Sequence, residues 1–157
     1  MASDTATAVT SSAAGGQPSA AMREAMAVEA ELRAPYPVPT TLPEERVLRA
    51  KVCSYWSEGA PEPYRTHELT AQGEAGSIRM RAYRATPNDN APVILQIHGG
   101  GWAFGSIAET EPLSRHLAAM TGAVVVATSY RLAPEHKFPA GLNDCDAALQ
   151  WILANVS

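Results

Sequence analysis

The sequence predicts an α/β fold built on a parallel sheet, and three observations carry that prediction. Two short runs, residues 92–97 (PVILQI) and 123–129 (AVVVATS), have the nearly unbroken apolar character of strands covered on both faces. Helix-periodic segments follow each of them, so the order is strand, helix, strand, helix, which favours parallel pairing. The core-forming residues also concentrate there: of 28 Leu, Ile, Val and Phe residues, 18 fall in residues 91–157 and 10 in residues 1–90.

Taken in order, residues 1–20 are small and polar and hold a single Val, too little apolar surface to offset the entropy of ordering; a disordered tail is expected. Residues 21–33 (AMREAMAVEAELR) are strong helix formers, ended by the Pro-rich connector APYPVP at 34–39. Thr41 and Glu44 have capping-box spacing, and the helix they open carries Leu48, Val52 and Tyr55 on one face with Trp56 beside them. GAPEP at 59–63 breaks it. Residues 64–71 and 77–85 read as two strands around a turn at 73–76, although Tyr83 interrupts the alternation of Ile78, Met80 and Ala82 and leaves the register open. After the strand at 92–97, a helix is expected from about Thr110, with Pro112 in its first turn, Leu113, Leu117 and Met120 on its buried face, and Gly122 closing it. Residues 130–138 form a long loop. A last helix from Pro139 sets Leu142, Cys145, Leu149, Ile152 and Val156 at 3-4-3-4 spacing.

Composition removes several function classes. Twelve basic residues against sixteen acidic, a net charge of −4 and no basic run argue against nucleic-acid binding. No stretch approaches the ~20 apolar residues that span a bilayer. Residues 1–21 have neither a charged n-region nor an apolar h-region, and Cys53 and Cys145 lie far apart, so a cytoplasmic, reduced protein is expected. His67, His98, His116 and His136 form no i, i+4 pair, which speaks against a metal site. HGGGWAFG lacks dinucleotide-loop spacing.

The chemical signal is His98-Gly99-Gly100-Gly101-Trp102, directly after the strand 92–97. Three consecutive glycines are entropically costly and are tolerated where backbone N–H groups must face a ligand. Donors held in this way stabilise the oxyanion that forms when an ester or amide carbonyl is attacked.

Together with Tyr130-Arg131-Leu132-Ala133-Pro134-Glu135, Phe138-Pro139-Ala140 and Asp144, this loop resembles the hormone-sensitive-lipase-like branch of the α/β-hydrolases. The resemblance covers roughly residues 22–157 and implies a carboxylic-ester hydrolase of the serine type, working through an acyl-enzyme without cofactor or metal. It divides the chain into the tail 1–20, N-terminal cap helices at 21–60 and the first half of a hydrolase core at 61–157. By that resemblance Gly100 and Gly101 supply oxyanion-hole N–H groups, Gly99 shapes the turn and His98 supports the loop. Trp102 and Phe104 either line the acyl pocket or pack beneath the loop. Tyr130, Arg131, Glu135 and Asp144 belong to the structural motif; Arg131 is expected to pair with a carboxylate that the sequence does not single out.

The pattern departs from the family at one decisive place. No G-x-S-x-G elbow occurs in the 157 residues. Ser106 follows a glycine but lacks the preceding strand and second glycine, and His136 and Asp144 precede any position where the nucleophile belongs. The expectation is therefore an N-terminal portion ending before the elbow and inactive by itself. The family's strand order, 1-2-4-3-5, would leave the strand 92–97 as an open apolar edge, so the isolated chain is expected to be poorly soluble or partly folded. The alternative is a non-catalytic relative that uses the glycine loop as a small-anion site, its partner in either case a small molecule.

Overall fold

A hairpin begins the sheet in this computed structural model, which describes residues 17–155. Strand β1 (Arg65–Gly73) pairs antiparallel with β2 (Gly76–Arg84), Gly73 facing Gly76 across a two-residue turn. β2 pairs antiparallel with β4 (Val124–Thr128), and β4 pairs parallel with β3 (Val93–Ile97), giving the order β1-β2-β4-β3 expected for the first four strands. β3 is thus a sheet edge among the described residues.

Both faces of this sheet are covered, which resolves the register left open by Tyr83. Ile78, Met80, Ala82 and Val126 pack on one face against Ala148 and Ile152 of helix α4 (Ala140–Asn155). Tyr83, Val125 and Ala127 pack on the other against Ile107 and Ala118 of helix α3 (Ile107–Thr121). Met80, Ala82 and Tyr83 are therefore all buried, because α3 covers the Tyr83 end of β2 on the face opposite α4, while Ser77 and Arg79 on that face stay exposed.

The sequence misplaces the start and the face of α3. Ser106 is its N-cap, accepting from the Glu109 N–H at 3.2 Å, so the helix begins at Ile107 rather than near Thr110 and Pro112 sits inside it. Gly122 closes it in the left-handed conformation, as expected. Leu113 and Met120, read as core, are exposed; the buried positions are Ile107, Ser114, Arg115 and Ala118. The reason is polar. Arg115 donates to the Ala60 and Pro61 carbonyls at 3.1 and 2.7 Å, and that anchor rotates the helix away from its most apolar stripe.

Similar corrections apply elsewhere. In helix α2 (Leu42–Trp56), whose capping box is formed as predicted, Leu48 and Val52 are buried but Tyr55 and Trp56 are exposed. In α4, Cys145 and Ile152 are buried with Gly141, Asp144 and Ala148, whereas Leu142 and Leu149 are exposed; Val156 lies outside the described residues. Small residues face the sheet because they let the helix approach it closely, and the leucines take the outer flank.

The chain divides into two compact units at Pro35. The first contains helix α1 (Ala20–Arg33), capped by Ser19, with no buried residue; most of the predicted tail lies outside the described residues. The second holds everything from Tyr36 onward. The predicted cap block of 21–60 is thus split by this boundary. α2 packs on α3 within the second unit, held by the Arg49–Glu109 pair at 2.9 Å. Among the described residues no helix is long and apolar enough to cross a membrane.

Candidate active site

The glycine loop leaves the C-terminal end of β3 and folds back on itself. The Gly100 carbonyl accepts from the N–H groups of Ala103 and Phe104 at 3.1 and 3.0 Å, closing a tight turn. Gly100 has φ 126° and Gly101 φ 59°; Trp102, at φ 62°, is the one non-glycine in the left-handed region among the described residues. A Cβ on Gly100 would collide with the Phe104 carbonyl, so the turn admits only glycine there. Gly99 has open space around it. Among the described residues, the N–H groups of Gly100, Gly101 and Trp102 donate no hydrogen bond. Three adjacent backbone donors are thereby left free at the end of a parallel strand, the position at which α/β sheets place ligands.

The predicted supporting residues converge on this loop. His98 is buried; its ring stacks on Tyr130 at 4.2 Å and its Nδ1 lies 3.0 Å from the Gly99 carbonyl. The Tyr130 hydroxyl donates to the His98 carbonyl at 2.7 Å, and burial pushes its pKa upward, so it remains a donor. Trp102 tilts against Tyr130 at 5.3 Å, and its carbonyl accepts from the Ala133 N–H at 2.8 Å. Gly141 of α4 has no room for a side chain, since a Cβ would press on the Arg131 carbonyl, Trp102 and Tyr130.

The carboxylate partner of Arg131 is Asp144. It accepts from the Arg131 backbone N–H and Nε, both at 2.9 Å, and from Nη2 at 2.8 Å. Burial pushes the Asp144 carboxyl up, but the Arg131 hydrogen bonds and charge outweigh it and hold the group below its ordinary range. Asp144 is thus committed to pinning the 130–139 loop onto α4. Glu135 is bound in turn by Arg46.

Trp102 is about half exposed and lines a cavity of about 200 Å³ with Arg131, His136, Phe138 and Leu142. Phe104 lies elsewhere, partly buried under the Arg49 guanidinium at 5.6 Å, which fits packing beneath the loop better than pocket lining. Ser106 is occupied as the cap of α3, donating to Glu109. No group of three His, Cys, Asp or Glu residues poised for a metal occurs among the described residues.

Sequence reasoning missed two participants. Arg46 of α2 reaches the loop from the N-terminal side, a contact no local spacing announces. Gly105 looks in the sequence like no more than the residue before Ser106, yet a Cβ there would strike the His98 ring and the Gly99 carbonyl. A further glycine four residues past the run at 99–101 is the signal that points to it.

The signature of a family with the alpha/beta hydrolase fold matches residues 94–157. The carboxylesterase NlhH of Mycobacterium tuberculosis is 46% identical over 69 residues, 44% of this chain and 22% of that protein. An arylesterase of Saccharolobus solfataricus is 32% identical over 110 residues, 69% of this chain and 36% of that protein. A hyperthermophilic esterase from the archaeon Pyrobaculum calidifontis superposes with a TM-score of 0.77 at 33% identity, covering 90% of this chain and 45% of the other. The chain spans less than half the length of each of these relatives. Its sheet order, its glycine loop after β3 and these likenesses agree: the chain has the first part of an α/β-hydrolase fold and is similar to esterases of the hormone-sensitive-lipase-like branch.

Proposed function

We propose that this chain carries the oxyanion-binding part of a carboxylic-ester hydrolase of the serine type. The observation that carries the reading is the row of free N–H groups at Gly100, Gly101 and Trp102. In ester hydrolysis the carbonyl oxygen gains negative charge as a nucleophile adds, and prealigned N–H donors stabilise that charge without reorganising. Gly100 and Gly101 are the donors, Gly99 supplies the preceding turn, and His98, with Tyr130 beneath it, fixes the base of the loop. Trp102 borders the substrate. α2, within the 21–60 segment, serves as part of a cap, and Arg131, Glu135 and Asp144 brace the loop behind. The ligand is a small-molecule ester, not nucleic acid, and two free cysteines favour a cytoplasmic setting.

No G-x-S-x-G elbow occurs in these 157 residues, and on this reading the chain as given binds a carbonyl oxyanion but does not turn over esters. The test pairs two assays on the purified chain. Calorimetric titration with a short alkylphosphonate, whose oxygens mimic the tetrahedral oxyanion, gives saturable binding that Gly100→Ala removes and Gly99→Ala keeps. Hydrolysis of a short-chain aryl ester stays at the buffer rate. Serine-dependent turnover, or phosphonate binding indifferent to Gly100→Ala, would overturn the reading.

A further inference from the structure

One guanidinium ties the glycine loop to the 130–139 loop. Arg46, on α2, donates from Nε to the Ala103 carbonyl at 2.9 Å and from Nη2 to the Ala133 carbonyl at 2.7 Å. It also makes a two-pronged pair with Glu135, 2.9 Å from Nη1 to Oε1 and 3.0 Å from Nη2 to Oε2. Ala103 is a residue of the turn closed by the Gly100 carbonyl. Ala133 donates to the carbonyl of Trp102. The two carbonyls that Arg46 grips therefore belong to residues whose own N–H groups shape the glycine loop, one directly after Trp102 and one bonded to the Trp102 carbonyl. Arg46 itself is three-quarters buried.

We propose that Arg46 is a positioning residue for the oxyanion donors, locking the Gly100–Trp102 backbone in its donor-outward conformation and tying that conformation to the docked state of α2. This rests on the oxyanion reading above. The physical argument is that Trp102 holds a left-handed backbone, which a non-glycine residue adopts only when its surroundings enforce it. The Ala103 carbonyl directly follows that strained residue and the Ala133 N–H holds its carbonyl, so Arg46 fixes both peptide planes C-terminal to the donors. Glu135 sets the guanidinium plane, and its carboxyl lies below the ordinary range chiefly because of the Arg46 hydrogen bonds. The consequence is directional. Charge neutralisation alone is not the function of Arg46; its donors to two carbonyls are, and only a fork with several N–H groups supplies them.

The test uses amide hydrogen exchange and phosphonate affinity on the 157-residue chain. In Arg46→Gln the Ala103, Phe104 and Ala133 amides exchange about tenfold faster or more, as expected for losing charge-assisted hydrogen bonds. Core amides such as those of Met80 and Val125 stay within about twofold of wild type, and phosphonate affinity falls by about tenfold. Arg46→Lys is intermediate. Glu135→Gln, which leaves both carbonyl bonds in place, changes loop exchange by less than about threefold. The double exchange Arg46→Glu with Glu135→Arg restores an ion pair but not the donors on α2, and does not recover the loop.

Wild-type loop exchange in Arg46→Gln, or full recovery in the double exchange, would overturn the proposal. Should Arg46→Gln fail to fold, Arg46→Lys and Glu135→Gln decide it by the same ordering. If wild type binds no phosphonate while the exchange ordering holds, the oxyanion reading fails and the positioning of the loop by Arg46 stands.

Discussion

Gly100, Gly105 and Asp144 show how individual residues set this loop. Gly100→Ala places a methyl on the Phe104 carbonyl and Gly105→Ala places one on the His98 ring, whereas Gly99→Ala meets nothing. The first two are expected to destabilise the chain by about 2 kcal/mol or more and the third by under about 1 kcal/mol, read from urea unfolding midpoints. Asp144→Asn removes the charge that three Arg131 donors share in a buried position. A loss of about 3 kcal/mol is expected. The same group sets an acid limit. Its folded pKa is depressed, so its stabilisation is complete above the ordinary carboxylate pKa and is lost as pH falls below about 4, which acid titration of thermal stability measures. The glycines at 99–101 and the motif residues were legible because special backbone geometry leaves a special composition. Arg46 was not, because its partners lie 57 and 87–89 positions away and no local pattern encodes them.

At the scale of elements, both apolar runs, the hairpin, the Thr41 capping box of α2 and the Gly122 close of α3 are written in short-range chemistry. The Ser106 cap is hidden by the glycine before it, which draws attention to Ser106 as a nucleophile rather than a helix start. Ser106→Ala is expected to cost about 1 kcal/mol and lower the thermal midpoint by ~3 °C in calorimetry. Helix faces were less legible. Periodicity assigns a helix its most apolar side, but α3 is oriented by the buried Arg115 and α4 by small residues against the sheet. The sheet layers also set an alkaline limit. Burial pushes the Tyr83 hydroxyl up to about 12, with the Glu111 charge adding to it, and the Cys145 thiol up to about 11. Each is stabilising in its neutral form below its ordinary pKa. Stability is therefore lost as pH rises above about 9, through Cys145 first and Tyr83 next, and pH-dependent denaturation should display that order in single Cys145→Ala and Tyr83→Phe backgrounds.

The whole molecule has an asymmetric sheet. Among the described residues β1 flanks one side; on the other, β3 presents an unpaired edge with Ile97 nearly half exposed, and Leu142, Leu149 and Leu153 of α4 are also exposed. Such an edge templates association, so sedimentation of the isolated chain should reveal concentration-dependent oligomers that a lysine at Ile97 reduces. A strictly monomeric, cooperatively folding chain at high concentration would contradict this.

On the proposed reading, the backbone donors at Gly100 and Gly101 await an oxyanion. The most direct measurement is residue-resolved NMR of the labelled chain during titration with a short alkylphosphonate. Saturable shifts of the Gly100 and Gly101 amide resonances are expected, with Trp102 following and core amides unmoved. Shifts confined to other residues, or none at those two glycines at saturating phosphonate, would contradict it.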